Sequence, residues 1–150
     1  MIRATTSDDQ TILAALQILN SRLQSAVVLP HSCAVKQYLR LQAQGLTHEV
    51  FAVMYLDSQH RLIGYERLFR GTLTHTTVYP REVARQALAM NARSVVLHHN
   101  HPGGLCTPSC DDEAVTRRLQ AALALVDVRV VDHVITSDQY AYSMAEHGLL

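Results

Sequence analysis

His98-His99-Asn100-His101-Pro102-Gly103-Gly104-Leu105-Cys106-Thr107-Pro108-Ser109-Cys110-Asp111-Asp112 is the stretch around which the rest of the chain is arranged. It leaves the apolar run Ser94-Val95-Val96-Leu97 and ends where a helical pattern begins, so it reads as a loop between a core strand and a helix. Its spacing, H-x-H-x7-S-x2-D, gathers two imidazoles, a hydroxyl and a carboxylate in one Gly-rich segment. Imidazole and carboxylate both bind zinc, and three protein ligands with one position left open describe a catalytic zinc. His99 and His101 are two apart, so on an extended segment both rings project from one face. Pro102-Gly103-Gly104 lets the backbone reverse. Asp112, in the first turn of the next helix, can then point back at the histidines. The expectation is a metal-dependent hydrolase with one zinc on His99, His101 and Asp112. Ser109 and Asp112 also have a plainer reading, as the N-cap and third helical position of an ordinary helix start, with acids favoured there by the helix dipole. The two readings are compatible, and the spacing leaves both open.

Working outward, the chain has 150 residues, 48% of them hydrophobic, enough for one compact domain with its own core. Thirteen basic residues balance thirteen acidic ones. No Lys/Arg-rich run of the kind that tracks nucleic acid interrupts that balance, so direct nucleic-acid binding is not expected. The first residues lack the apolar core of a secretory signal, and no apolar run approaches the ~18 residues of a membrane span. Cys33, Cys106 and Cys110 are odd in number and irregular in spacing, which is no disulfide framework. A cytoplasmic protein is the expectation, with no membrane association.

Ser7 with Gln10 reads as a capping box, and Ile12, Leu16, Leu19 and Leu23 predict a helix over 8–24. Ser32 caps a second helix that carries Val35, Tyr38 and Leu39 inward, with Gly45 to end it. The continuous apolar run 50–56 predicts a strand buried on both faces. A turn at 57–60 leads to a second strand over 61–69, and the Thr- and Val-rich stretch 72–78 predicts a third. Pro80 opens a helix with Val83, Ala84, Ala87 and Leu88 on one face. A short core strand, the histidine loop, a helix to about residue 125 and strands over 128–135 and 140–144 complete the chain. This order predicts a mixed α/β domain, a mixed β-sheet flanked by helices.

The run His99-Asn100-His101-Pro102-Gly103-Gly104, followed by Pro108-Ser109 and Asp112, resembles the signature of the JAB/MPN (JAMM) metalloprotease superfamily and, within it, the bacterial RadC-like branch. The likeness extends through Glu66-Arg67-Leu68-Phe69-Arg70-Gly71-Thr72, Tyr79-Pro80-Arg81-Glu82, Asp127-Val128-Arg129-Val130-Val131-Asp132-His133 and Ser143-Met144-Ala145-Glu146. It covers roughly residues 25 to 150, with residues 1–24 read as a preceding helical segment. The chain is similar to short, prophage-type members without an N-terminal helix-hairpin-helix region. The resemblance implies the cytidine-deaminase-like α+β architecture of MPN domains and zinc on His99, His101 and Asp112. It also implies Glu66 as the group that deprotonates the attacking water, Ser109 as a donor to the oxyanion, and a peptide or isopeptide-like substrate. Gly103 departs from the family's usual serine, and His98 stands where a small or apolar residue is usual.

Three other readings compete with this one. A DNA-repair or DNA-associated role without peptidase activity comes with the RadC label, but the neutral charge argues against duplex binding. A nucleobase deaminase needs H-x-E with P-C-x2-C, whereas this loop has His99-Asn100-His101 and Pro108-Ser109-Cys110-Asp111. A metal-free interaction module is disfavoured because the His/His/Asp set is intact.

Overall fold

A computed structural model describes residues 6–25, 32–71 and 77–150. Among these residues four helices and five strands follow in the order α1 (Ser7–Ser25), α2 (Cys33–Ala43), β1 (Val50–Leu56), β2 (Leu62–Arg70), α3 (Pro80–Ala89), β3 (Ser94–Asn100), α4 (Cys110–Ala124), β4 (Arg129–Thr136) and β5 (Ala141–Ser143). The strands form one sheet in the order β2-β1-β3-β4-β5. Only β3 and β4 run parallel, and their connection contains α4; the other neighbours are antiparallel. The mixed α/β domain expected from the sequence is the one observed.

The sheet is sandwiched between two helical layers because its central strands are apolar on both faces. Every residue of β1 and of β3 is buried. Phe51, Val53, Tyr55, Val95 and Leu97 face α3 and α4, where they meet Val83, Ala87, Leu119 and Leu123. Met54, Leu56 and Val96 face the other way and meet Leu23, Val35, Tyr38 and Leu39 of α1 and α2. Consecutive residues of β3 therefore belong to opposite layers, as the period of two requires.

Local signals explain most boundaries. The Ser32 hydroxyl accepts the Val35 N–H and starts α2, and Gly45 follows its end with φ +76°. The cap of α1 is Thr6 with Asp9, one residue before the expected Ser7 and Gln10: Thr6 N–H donates to the Asp9 carboxylate at 2.8 Å and Asp9 N–H to the Thr6 hydroxyl at 3.1 Å. Both pairs fit a capping pattern, and Asp9 brings a charge to the positive end of the helix. The third strand expected over 72–78 falls mostly on residues 72–76, outside the described residues, while Thr77 and Val78 are not in a strand. Strand β3 runs three residues beyond Leu97, so His98, His99 and Asn100 are part of the sheet rather than of the loop. Among the described residues no helix is long and apolar enough to cross a membrane.

Candidate metal centre

The histidine segment acquires its geometry from the end of β3. Phe51 of β1 lies opposite His99 in an antiparallel register. Extending that register by two residues sets Glu49 opposite His101, so Glu49, His99 and His101 share the sheet face that looks toward α4. Their donor atoms lie within 4.8 Å of one another. His99 Nε2 is 3.6 Å from Glu49 Oε2, and His101 Nε2 is 3.4 Å from Asp112 Oδ2. The four residues thus form a chain of donors running from carboxylate through two imidazoles to carboxylate. Glu49, His99 and Asp112 are buried and His101 is partly so.

Each member is held by its own element. Asn100, between the two histidines, points to the other side of β3 and grips the backbone on either side of Glu49. Its Oδ1 accepts Val50 N–H at 2.7 Å, and its Nδ2 donates to the His48 carbonyl at 3.0 Å. His101 leaves the strand but keeps one sheet bond, from its N–H to the Thr136 carbonyl at 2.8 Å. Its Nδ1 lies 2.8 Å from the Leu105 carbonyl, which can only accept. That contact keeps a proton on Nδ1 and leaves Nε2 to face Asp112: the protonated ring donates from Nε2 to the carboxylate, and the neutral ring offers the Nε2 lone pair that a ligating imidazole requires. Gly103 adopts φ +63°, a left-handed conformation that suits glycine and closes the loop tightly.

Ser109 and Asp112 make the reciprocal capping box that opens α4. The Asp112 carboxylate accepts the Ser109 N–H at 2.7 Å and its hydroxyl at 2.8 Å, while Asp112 N–H donates to Ser109 Oγ at 3.1 Å. Burial pushes the Asp112 carboxyl up. Hydrogen bonds from His101 and from the backbone and hydroxyl of Ser109, with the nearby His99, outweigh it and hold the group well below the usual carboxylate range. The hydrogen bond to Asp112 raises the His101 imidazole above its ordinary value against the opposing effect of burial.

Glu66 is not brought to this group. It pairs with Val53, which pairs with Leu97, so it shares the face of His99 but lies two strands across and one residue pair along. Strand spacing and rise put its backbone about 12 Å from that of His99. It stands nearer α3: burial raises the Tyr55 hydroxyl, the Glu66 charge raises it further, and Arg85 opposes. The second carboxylate at the centre is Glu49. The sequence signal for it was slight, an acid directly ahead of a fully apolar strand.

Two other buried histidines flank the centre. His98 faces the α1/α2 layer, with Nδ1 2.8 Å from the Tyr65 hydroxyl and Nε2 2.9 Å from that of Thr136. His133 packs edge-to-face on Phe51, whose ring also meets His99, and its Nδ1 is 2.6 Å from the Thr116 hydroxyl. Burial, reinforced by the neighbouring His99, pushes both imidazoles down to about 3, so they are neutral in the fold. Asp132 ties β4 to the end of β5, accepting the Ser143 hydroxyl at 2.6 Å and Ala145 N–H at 3.0 Å.

The donors lie at the floor of an open cavity of about 610 Å³. Val78 and Tyr79, Leu105 of the loop, and Val115 and Arg118 of α4 line it. Glu49, His99 and His101 converge, with Asp112 beside His101, and imidazole and carboxylate donors so gathered suit a divalent cation such as zinc. The open side of the group faces the cavity, which leaves room for a substrate.

A family model of RadC-like JAB domains matches residues 29–149. The chain is 58% identical over 136 residues to a protein of Polaromonas sp. named "UPF0758 protein", covering 91% of this chain and 61% of that one. A protein of the same name from Leptothrix cholodnii is 53% identical over 148 residues, covering 98% and 67%. A third, from Variovorax paradoxus, is 55% identical over 136 residues, covering 91% and 60%. The chain thus spans about three fifths to two thirds of the length of these curated relatives.

Proposed function

The chain belongs to the RadC-like JAB domain family, and from that premise we propose that it is a zinc-dependent hydrolase acting on an amide or isopeptide-like bond in a peptide substrate. The observation that carries the reading is the convergence of Glu49, His99 and His101, with Asp112 beside His101, at the floor of an open cavity. In this reading His99, His101 and Asp112 hold the ion, and Glu49 takes the place first given to Glu66. A divalent metal at such a site supplies Lewis acidity and makes water a nucleophile at neutral pH.

The protein's own groups do the rest. Glu49 lies beside His99 at 3.6 Å and is held by the Asn100 clamp, placed to accept a proton from the attacking water and pass it to the leaving amine. The Ser109 hydroxyl spends its single proton on Asp112 in this structure. Once the Asp112 oxygen is engaged elsewhere, that proton can turn toward an oxyanion in the cavity. A donor so aimed is worth about 2.7–4 kcal/mol in other enzymes.

Elemental analysis and peptide hydrolysis together test the assignment. Protein purified without added metal is expected to hold about one zinc per chain. Glu49→Gln keeps the zinc and loses turnover by about 10²-fold or more, whereas Asp112→Ala loses the zinc. Loss of zinc in Glu49→Gln with retention in Asp112→Ala would exchange the two carboxylates' roles. Folded wild-type protein devoid of zinc, and unable to take it up, would sink the reading.

A further inference from the structure

We infer that Arg118 forms an anion subsite of the cavity, so that the preferred substrate carries a carboxylate two to three residues from the bond that is cut. The inference rests on the hydrolase reading only in calling the occupant a substrate. Two adjacent arginines on α4 differ in their surroundings. Arg117 is engaged by Glu113 at 3.3 Å, one helical turn away. Arg118 lines the cavity, is exposed, and among the described residues has no ion pair. The undescribed residues contain no Asp or Glu, so they offer no acidic side chain to pair with it. Among the described residues Arg118 is also the one Lys or Arg side chain in the cavity wall.

Charge along the cavity is therefore polarised. Glu49, Asp111 and Asp112 lie at the floor and at the start of α4, and Arg118 stands at the far end. Six residues of helix separate Asp112 from Arg118, a rise of about 9 Å. An extended peptide advances about 3.4 Å per residue, so a chain cut at the floor brings its second or third residue level with the guanidinium. A divalent ion at the floor offsets the charges of Glu49 and Asp112, which leaves Asp111 to repel a carboxylate at the start of α4 and Arg118 to attract it further along. A planar guanidinium offers a carboxylate two parallel N–H donors, a geometry lysine does not reproduce. The apolar walls, Val78, Tyr79 and Val115, accommodate the intervening chain.

Fluorogenic peptide libraries carrying Asp or Glu, Lys or Ala at each of three positions on either side of the cut, with free or amidated C-termini, distinguish the sources of the carboxylate. The zinc-loaded wild type is expected to prefer an acid two to three residues from the cut by about tenfold in kcat/KM, less at high salt. A preference that survives amidation identifies an acidic side chain, and one that requires the free terminus identifies the chain end; either supports the subsite. Arg118→Ala removes the preference and Arg118→Glu inverts it toward Lys, with zinc content unchanged. Cleavage without an acidic preference, or a preference that Arg118→Glu leaves intact, overturns the inference. If no peptide is cut, the hydrolase reading fails by itself, and fluorescence anisotropy with a labelled Glu-rich peptide and its Lys counterpart decides the subsite. The same tenfold difference, inverted by Arg118→Glu, supports it, and equal binding overturns it.

Discussion

At the scale of single residues, Asn100 shows how much of the centre depends on a group that touches no donor atom. Its carboxamide is buried and bonded on both sides of Glu49, to the His48 carbonyl and the Val50 N–H. Asn100→Ala leaves both backbone groups without that partner, at a cost of about 1–3 kcal/mol in stability. It also releases Glu49 from its fixed position against His99. We expect Asn100→Ala to retain zinc and to lose at least about tenfold in kcat, since small misplacements of a catalytic group are costly. Retained kcat alongside the stability loss in denaturant titrations would reduce Asn100 to a structural role. Residues at this scale were unevenly legible. His99, His101, Ser109 and Asp112 fall within fourteen positions of one another, so spacing alone could gather them. Glu49 lies fifty residues before His99 and reaches it only because β1 pairs with β3, a fact no local pattern carries. Glu66 is singled out by the family resemblance alone; it lies in a strand and on the same face, yet β2 is one strand too far away.

Among the elements, α4 joins stability to chemistry most closely. Its N-terminal capping box is made by Ser109 and Asp112, and Asp112 is also its contribution to the donor set. Ser109→Ala is therefore expected to destabilise the metal-free protein by about 1 kcal/mol, as the loss of an N-cap does. If the serine also serves the reaction, zinc stays and turnover falls well beyond that amount. Thermal unfolding with and without zinc, set beside peptide hydrolysis, separates the two effects. Helices with caps and periodic apolar faces were readable from the sequence, as were the strands with continuous apolar runs. Strand β3 is longer than its apolar run because His98, His99 and Asn100, which look like loop residues, belong to it. Their polar side chains are buried and bonded, to Tyr65 and Thr136 for His98 and to backbone for Asn100, so the sheet tolerates them. Polarity was a poor guide where each polar group had a partner waiting across the sheet.

For the whole molecule, two buried neutral histidines impose a pH limit. His98 and His133 titrate near 3 in the fold against about 6.5 in an unfolded chain. Between those values the unfolded state binds more protons than the folded one, so stability falls as pH drops through that window. Each histidine contributes a slope of up to about 1.4 kcal/mol per pH unit. Urea midpoints of the metal-free protein should fall steadily from about pH 6.5 downward, and His98→Gln should flatten the decline; a midpoint independent of pH over this range would refute the account. The alternation along β3 carries a second consequence. His98 and His99 look into opposite halves of the molecule, and the ion-binding face is defined by residues 99 and 101. A slip of this strand by one position would present His98 and Asn100 to that face and leave a single imidazole there. In the proposed metal protein, misregistered chains would forfeit the ion, while correctly registered ones would gain its binding energy by mass action. If the chain takes up the proposed ion, uptake would act as a proofreader of strand alignment, and a refolding yield that rises with zinc would register that selection.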